Sequence, residues 1–416
     1  MKPAQLVNEQ RAWLAPGPAH RHTSGMRGKP SSLASRMVTV DGNRLILFPD
    51  GPDRLEAILD LIGNAKTSLR LLYYMFAGDW SGQKVRDALV AARGRGVAVT
   101  VLIDDFGSSM NPDNFFAALR QAGATVCRFH PSWGRRYLLR NHQKMLLVDG
   151  ETDDSRVLIG GFNIEDDYFR RSDEGGWRDI GLLVYGPAAA RLLPYYDALM
   201  GWALKKGARI RELRGIIQRY SENSGKLQWQ FGGPMRRMSP WAASTARDLA
   251  QGCDVEVIAA YFAPPWGMLK RIARVGTKGR ARVITAAKSD NTATIFAARF
   301  TYNQLMKRGV EIYEYQRTKL HSKLMVFDDE VHIGSSNFDI RSLYLNMEMM
   351  LRVDDAEFTS LMRLYFEGEL DDSLRITREA WAKRCTFFNR LKWGLSFFMV
   401  TAVDYSVTRR LNFGAE

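Results

Sequence analysis

The sequence predicts an α/β protein built from two halves with the same order of elements. Short apolar segments of strand length alternate along the chain with longer segments whose apolar residues recur at helical spacing. The strand segments are apolar on both faces, which is typical of a parallel or mixed sheet covered by helices. The pattern His-x-Lys, then four residues and an Asp, occurs in each half, starting at His142 and His321. A repeated order of elements with a repeated motif indicates an internal duplication.

In the first half, five elements are expected before the motif. They are strands at 44–48, 68–76 and 97–103, with helices at 53–65 and 82–93 between them. The helix at 53–65 opens with an acidic residue and keeps its apolar residues at helical spacing, as the start of an amphipathic helix should.

The second half repeats this order. We expect a strand at 254–262, a helix after Pro265, a strand at 281–286, a helix at 293–307 and a strand at 310–315. The second motif follows directly, as the first motif follows its own set of elements.

The same patterns divide the chain into expected segments. They are a basic flexible tail at 1–37, a first domain at 38–200, a basic amphipathic linker at 201–240, a second domain at 241–370 and a C-terminal interfacial helical segment at 371–416. Apolar residues interleave with cations in the linker, so it is either a solvated inter-domain helix or a surface that meets anionic lipid. The C-terminal segment favours the lipid interpretation.

That C-terminal segment combines aromatic and basic residues. Aromatic and aliphatic side chains run from Trp381 to Phe413, with cations on both flanks. The uncharged stretch between Lys392 and Asp404 is too short to cross about 30 Å of hydrocarbon. It fits a helix lying in a membrane interface, and the alternative is a helix docked on the protein's own core.

The composition indicates an anionic partner. A formal net charge of +14 and a pI near 9.7 suit either nucleic acid or an anionic membrane surface. Widely separated cysteines argue against a disulfide framework or a zinc site and are compatible with a reducing cytoplasm. Neither a secretory signal nor a run of about 18 apolar residues is visible, so no membrane span is expected.

The motif residues suit the cleavage of a phosphodiester. His142 and Lys144 share one face of a strand, as do His321 and Lys323, because side chains alternate along a strand. One imidazole could attack phosphorus while the other protonates the leaving oxygen and later acts as a base. The two lysines would hold the phosphoryl oxygens. This chemistry needs no metal ion and no other cofactor.

Further polar residues follow each motif at comparable places. A Gly-rich turn ends at Asn163 in the first half and at Asn337 in the second, and an acid follows, Asp179 or Glu348. The amides would help to bind phosphate, and each acid would hold one imidazole in the tautomer that faces phosphorus. We therefore expect each half to supply a complete half-site.

The motif aspartates complete the six motif residues that we assign to the catalytic set. Asp149 and Asp328 close their strands, five residues beyond each Lys. We expect them to fix the turn through backbone hydrogen bonds and not to touch substrate.

The doubled motif resembles that of the phospholipase D superfamily. Within it, the run from Gly334 to Glu348 is similar to the signature of the bacterial cardiolipin synthases. The turn at residues 261–264 also resembles theirs, although Ala260 stands where they have a proline. The resemblance covers about residues 40 to 365.

This resemblance implies a fold of two phospholipase D-like α-β-α sandwich repeats, with abutting mixed sheets and the active site at their seam. It implies transfer of a phosphatidyl group from one phosphatidylglycerol to another through a phosphohistidine, with release of glycerol. Superfamily precedent assigns His142 as the nucleophile. Because many cardiolipin synthases begin with membrane helices that are absent here, the chain is similar to the shorter type, attached peripherally to the cytoplasmic face of the bacterial inner membrane.

Two other functions remain open. A hydrolase of the same superfamily, either a lipid phosphodiesterase or a nuclease, would use the same histidines. A non-catalytic binder of anionic lipid or nucleic acid would have a degenerate site, whereas every expected catalytic position is filled here. The aromatic, cation-flanked C-terminal segment favours a bilayer over nucleic acid as the partner.

Overall fold

Two eight-stranded sheets form the framework of the part of the chain that the structure describes. The structure, a computed structural model, describes residues 37–109, 111, 114–129 and 139–403. The predicted basic tail, apart from Met37, and the last residues of the predicted interfacial segment, 404–416, lie outside these ranges.

The first half folds into one mixed sheet. Its strands are β1 (Met37–Val40), β2 (Asn43–Phe48), β3 (Ser68–Tyr73), β4 (Ala98–Asp104), β5 (Thr125–Phe129), β6 (Met145–Val148), β7 (Arg156–Gly160) and β8 (Gly181–Tyr185). Across the sheet the order is β1-β2-β8-β7-β6-β3-β4-β5. Strands β3, β4 and β5 are parallel neighbours, and the other pairs are antiparallel.

The second sheet is built in the same way. The strands of this half are β9 (Leu227–Gly232), β10 (Asp254–Ala259), β11 (Phe262–Ala263), β12 (Arg280–Ala286), β13 (Glu311–Tyr315), β14 (Lys323–Phe327), β15 (Glu330–Gly334), β16 (Phe338–Asp339), β17 (Glu348–Asp354) and β18 (Ser373–Ile376). The order is β18-β13-β12-β10-β14-β15-β17-β9, while β11 and β16 form a separate short ladder.

The two sheets correspond strand by strand. Among the described strands, the run β5-β4-β3-β6-β7-β8-β2 matches β13-β12-β10-β14-β15-β17-β9 in order and in relative direction. Only the outermost strands β1 and β18 have no counterpart in the other sheet among the described residues. The duplication predicted from the two motifs therefore extends to the whole sheet.

Helices cover both sheets. In chain order they are α1 (Gly51–Gly63), α2 (Trp80–Gly94), α3 (Ala117–Gln121), α4 (Asp166–Phe169), α5 (Pro187–Ala190), α6 (Leu193–Leu204), α7 (Ile210–Tyr220), α8 (Pro240–Gln251), α9 (Trp266–Lys278), α10 (Thr292–Met306), α11 (Ile340–Tyr344), α12 (Ala356–Asp371), α13 (Arg378–Arg384) and α14 (Phe387–Phe398). Helix α1 shows why these segments are helical, since Pro52 lies in its first turn and its leucines and isoleucines bury one face.

The predicted linker at 201–240 does not form one separate element. It contains the end of α6, all of α7, and strand β9, which pairs with β17 at the edge of the second sheet. On helix α7, Ile210, Leu213 and Ile217 are buried in the protein's own core. The apolar side of α7 is therefore not available to lipid, which corrects the interpretation that this helix forms an amphipathic lipid-binding surface.

The predicted C-terminal interfacial segment also contains more than expected. It includes β18, which pairs with β13, before helices α13 and α14. Trp393 of α14 stacks on Trp381 of α13 with ring centroids 4.7 Å apart, and Phe397 is buried beside them. One side of α14 is thus docked on the core, as the alternative expectation had it. No helix in the described ranges is long and apolar enough to cross a membrane.

Candidate active site

Short backbone bridges between the two halves position both motif histidines. Asn141 pairs with Met347, and Leu320 pairs with Arg178. The amide of His142 donates to the carbonyl of Met347 at 2.9 Å, and the amide of His321 donates to the carbonyl of Arg178 at 2.7 Å. The two bridges are equivalent under the duplication, and an acid follows the bridging residue in each.

These bridges place each acid beside the histidine of the other half. Nδ1 of His142 lies 3.1 and 3.2 Å from the two carboxylate oxygens of Glu348. Nδ1 of His321 lies 2.6 Å from Oδ2 of Asp179. The expectation that each half supplies a complete half-site is therefore wrong, because the acids are exchanged between the halves. With Nδ1 donating to the acid, Nε2 of each imidazole carries the lone pair.

Both motif lysines are buried next to their histidines. Nζ of Lys144 donates to the carbonyl of His142 at 2.6 Å. Nζ of Lys323 lies 2.8 Å from Nδ1 of His321 and also donates to the carbonyl of His321. Gly161 explains the Gly-rich turn, since a Cβ there would lie 2.7 Å from Asp179 Oδ1 and 2.9 Å from Lys323 Cδ. The turn has to lack a side chain for Lys323 and Asp179 to fit.

The two turn asparagines have different surroundings. Nδ2 of Asn163 donates to the hydroxyl of Tyr168 at 3.0 Å, and its Oδ1 accepts from the amide of Met75 at 3.3 Å. Asn337 is buried, and its Oδ1 has no hydrogen-bond partner among the described residues. A buried polar atom without a partner is costly, so Asn337 has hydrogen-bonding capacity left for a ligand.

The motif aspartates lie at the far ends of their strands from the histidines. Asp149 accepts from the backbone amides of Lys66, Thr67 and Ser68, just before and at the start of β3. Asp328 likewise accepts from the amides of Cys253 and Asp254 at the start of β10. They therefore join each motif strand to its neighbour through backbone hydrogen bonds. We infer from these contacts that both aspartates position the motif strands rather than contact substrate.

Several residues of the site were not assigned from the sequence. Tyr168 places its hydroxyl 3.5 Å from Nε2 of His321, and Ser335 donates to Glu348 Oε2 at 2.5 Å. The buried guanidinium of Arg54 donates to the backbone carbonyls of Asp179 and Tyr168 at 2.6 and 2.7 Å. Ser335 lies in the Gly-rich turn, which was a usable signal. Nothing in the local sequence around Arg54 or Tyr168 pointed to the site.

Burial and positive charge make both imidazoles neutral at neutral pH in the free site. Burial, then the charges of Lys144 and Lys323, lower the pKa of His142 well below its ordinary value. Burial and then Lys323 lower the pKa of His321 to about 3. A neutral imidazole is nucleophilic, whereas an acid role requires a proton that the free site does not hold.

The pKa values of the two acids are shifted in opposite directions. Burial raises the pKa of Glu348 to about 8, even though Lys144 and a hydrogen bond from Ser335 lower it. Burial also opposes ionisation of Asp179, but His321 and Lys323 outweigh it and hold the Asp179 pKa below its ordinary value. Asp179 is ionised at neutral pH and is the more readily ionised of the two acids. An ionised partner stabilises a proton on His321 better than Glu348 does on His142.

Loss of the Lys323 charge should set an alkaline limit to activity. Burial lowers the pKa of Lys323 to about 8, so its ammonium is present below pH 8 and is lost above it. Because a neutral amine cannot hold an anionic phosphate, we expect kcat/KM to fall as pH rises through about 8. A pH profile from 6 to 10, measured with a phosphodiester lipid, would check this.

Arginine provides the control for this prediction. Lys323→Arg keeps its charge over the whole range, so the part of the fall that Lys323 causes should be absent. A fall that remains both in this variant and in Glu348→Gln would be assigned to Lys144, whose pKa burial also lowers. Glu348→Gln removes the other group whose pKa is about 8. An alkaline fall that persists in Lys323→Arg and disappears in Glu348→Gln would assign the limit to Glu348 instead.

Two ranges of the sequence match one family model. Residues 58–189 and 249–370 match the family model described as Cardiolipin synthase, PLD-like domain. The chain belongs to this family. One matched range falls in each half, which confirms the two phospholipase D-like repeats and the resemblance found in the motifs.

Cardiolipin synthases are also found among similar curated proteins. The chain is 28% identical over 364 residues to the major cardiolipin synthase ClsA of Bacillus subtilis, with 85% of this chain and 74% of that protein covered. It is 28% identical over 357 residues to cardiolipin synthase 1 of Staphylococcus epidermidis, with 83% and 71% covered.

Solved structures support the fold of the cardiolipin synthase, PLD-like domain family. The crystal structure of phosphatidylserine synthase from Haemophilus influenzae is similar with a TM-score of 0.67 and 15% identity, covering 88% of this chain and 94% of that one. Polyphosphate kinase from Porphyromonas gingivalis is similar with a TM-score of 0.53 and 15% identity, covering 85% and 55%. At these identities the likeness shows the fold alone.

Proposed function

We propose that this protein is a phosphatidyltransferase that makes cardiolipin from phosphatidylglycerol. The observation that carries the proposal is the pair of motif imidazoles, each held at Nδ1 by an acid of the other half and each beside a buried lysine. Membership of the cardiolipin synthase, PLD-like domain family and relatives named cardiolipin synthase support the choice of lipid reaction.

The first step transfers the phosphatidyl group to the enzyme. Nε2 of His142 attacks phosphorus, a P–N bond forms, and the bond from phosphorus to the headgroup glycerol oxygen breaks. His321 gives its proton to that oxygen, so glycerol leaves as a neutral alcohol. Lys144 and Lys323 hold the non-bridging oxygens, whose charge would otherwise oppose the attack.

The second step transfers the group to the acceptor. His321, now neutral, takes the proton from the headgroup hydroxyl of a second phosphatidylglycerol. The resulting oxygen attacks phosphorus, the P–N bond breaks, and cardiolipin leaves with His142 restored. Because one imidazole serves as acid and then as base, the proton that His321 takes up when the donor binds is given to glycerol and then replaced by the acceptor's proton, so the cycle consumes no net proton.

Substrate binding allows His321 to carry the proton that it needs as an acid. In the free site, burial and the lysine charges keep His321 neutral. A bound phosphodiester brings a negative charge close to both lysines and so offsets their effect on the imidazole. The pKa of His321 then rises, and the ionised carboxylate of Asp179 at 2.6 Å stabilises the imidazolium.

The partner and the location follow from the substrate. Phosphatidylglycerol is an anionic bilayer lipid, and the protein carries a net charge of +14. Peripheral attachment to the cytoplasmic face of the bacterial inner membrane would bring the basic protein to that lipid. Nucleic acid is not part of this proposal.

A direct lipid assay tests the proposal. Purified full-length protein, incubated with phosphatidylglycerol vesicles and a chelator, is expected to yield cardiolipin and glycerol in equal amounts by mass spectrometry. The His142→Ala variant, purified in the same way, controls for contaminating enzymes. Phosphatidic acid as the sole product would mean that the protein hydrolyses phosphatidylglycerol and does not transfer the phosphatidyl group. Release of nucleotides from DNA without lipid turnover would make the protein a nuclease.

A further inference from the structure

Helix α14 is apolar on two sides, and only one of them is covered in the described structure. Phe387, Phe388, Leu391, Leu395 and Phe398 are all exposed. At 3.6 residues per turn they fall within about 100° of the helix circumference. We call this set the apolar stripe. Met399, which follows the helix directly, is also exposed and extends it.

The opposite side of α14 fixes the direction in which the apolar stripe faces. Trp393 and Phe397 are buried, and Phe397 contacts Phe300 of α10 with ring centroids 4.9 Å apart. A helix held in this way cannot rotate to hide its other side. The exposed apolar side is therefore a fixed feature of the surface, and large apolar patches on a surface mark binding sites.

The apolar stripe continues into a groove between α10 and α14. The groove has a volume of about 470 Å³ and is lined by Phe388, Leu391 and Leu395 of the apolar stripe and by Ala293 and Phe296 of α10. The ammonium of Lys392 lies 3.8 Å from the ring centroid of Phe296, at the border of this apolar surface. The arrangement combines an apolar floor with a cation at its edge.

The charge along the chain around the apolar stripe is mostly positive. Residues 377–403 contain the cations Arg378, Lys383, Arg384, Arg390 and Lys392 but only one acid, Glu379. Cations beside exposed aromatic residues are typical of helices that lie in the interface of an anionic bilayer, with apolar residues among acyl chains and cations at the phosphates.

The position of the apolar stripe relates it to the active site. Helix α10 begins at Thr292, immediately after the loop that contains Asp290. Asp290 accepts a hydrogen bond from the hydroxyl of Tyr261 at 2.6 Å and is close enough to interact electrostatically with a proton on His321. The first turn of α10 thus connects the groove with the surroundings of His321.

We propose that the apolar stripe of α14, with the groove beside it, is the surface by which this protein docks on an anionic phospholipid bilayer. The proposal rests on the proposed function only to explain why docking would be useful. It can be tested independently, because vesicle binding can be measured without turnover. Docking in this orientation brings lipid headgroups to the α10 side of the active site.

Matched leucine pairs test the proposal. Leu391 and Leu395 of the apolar stripe are 62% and 60% exposed, and Leu204 and Leu364 elsewhere are 60% and 61% exposed. Full-length Leu391→Ser/Leu395→Ser is expected to bind vesicles of phosphatidylglycerol and phosphatidylcholine about 10- to 100-fold more weakly than the unchanged protein. The control Leu204→Ser/Leu364→Ser should bind normally, since it removes the same apolar area elsewhere.

Further measurements keep the test decisive. Lys392→Gln is expected to weaken binding about fivefold on anionic vesicles and to have no effect on pure phosphatidylcholine vesicles. Equal weakening by both leucine pairs, or by neither, would overturn the proposal. The proposal would also be overturned if Leu391→Ser/Leu395→Ser bound vesicles normally but formed a smaller particle than the unchanged protein in light scattering. The apolar stripe would then be a contact between copies of this chain.

Activity separates this proposal from the proposed function. With dissolved short-chain phosphatidylglycerol, the Leu391→Ser/Leu395→Ser variant should turn over like the unchanged protein, because no docking is needed. If the unchanged protein binds vesicles through the apolar stripe but makes no cardiolipin, the docking surface stands and the proposed function fails. If the unchanged protein makes cardiolipin and the variant binds vesicles normally, the proposed function stands and the docking surface fails.

Discussion

Replacing His142 by alanine should abolish formation of a phosphoenzyme and reduce lipid turnover on the order of 10⁴-fold or more, because the group that attacks phosphorus is lost. His321→Ala should also reduce turnover of phosphatidylglycerol by about 10²–10⁴-fold, because the leaving oxygen is no longer protonated. With a donor whose leaving group needs no proton, however, His321→Ala should still accumulate phosphoenzyme.

A phosphatidyl ester of p-nitrophenol provides the measurement. Release of nitrophenolate in a single burst, with phosphate retained on the protein, is expected for His321→Ala and not for His142→Ala. The reverse pattern would exchange the two roles. His332 offers a control, since it is buried and bonded to Asp248 at 2.9 Å, and Asp248 also pairs with Arg352 away from the site. His332→Gln should keep the burst if it folds, which circular dichroism would verify.

Replacing each acid by its amide should impair the histidine of the other half. Glu348→Gln can present an N–H to Nδ1 of His142, which favours the tautomer with its proton on Nε2 and removes the attacking lone pair. We therefore expect it to lose about 10²–10⁴-fold in the rate of phosphoenzyme formation, even with the activated ester. Asp179→Asn should behave like His321→Ala and keep the burst, because Asp179 holds His321.

Double variants make this prediction specific to the exchanged pairs. Residues that act as a unit are strongly non-additive. Adding Glu348→Gln to His142→Ala should therefore cost little more, whereas adding it to His321→Ala should remove the remaining burst. If the acids instead served the histidines of their own halves, Glu348→Gln would keep the burst and Asp179→Asn would lose it. Both variants can be compared for folding by thermal unfolding.

Local patterns predicted much of this fold. The helices and strands expected around both motifs are present, with ends that differ by a few residues, such as the strand expected at 68–76 that ends at Tyr73. These segments have clear strand or helix periodicity, and burial against the sheets follows that periodicity. The residue types of the site were predicted for the same reason, because each lies at a fixed place after a recognisable motif.

Other features depend on contacts that no local pattern reports. Which acid meets which histidine is decided by the pairing of Asn141 with Met347 and of Arg178 with Leu320, across the two halves. The apolar residues of α14 are spread over more than one face of the helix. The packing of Trp393 and Phe397 decides which of them are buried and which are exposed.

Strand β9 was missed although a signal was present. Leu227, Trp229 and Phe231 alternate with Gln228 and Gln230, which is the period-two pattern of a strand. The many cations around it favoured a linker. The partner strand β17 lies more than a hundred residues away, and pairing of that kind decides whether such a segment joins a sheet.

The exchanged acids also affect how the protein becomes active during its synthesis. Glu348 is 206 positions beyond His142, and His321 is 142 positions beyond Asp179. A ribosome that has released the whole first half has made one imidazole without its acid and one acid without its imidazole. We therefore expect a nascent or truncated chain that ends before Glu348 to be inert towards lipid, because the acid that holds His142 is missing.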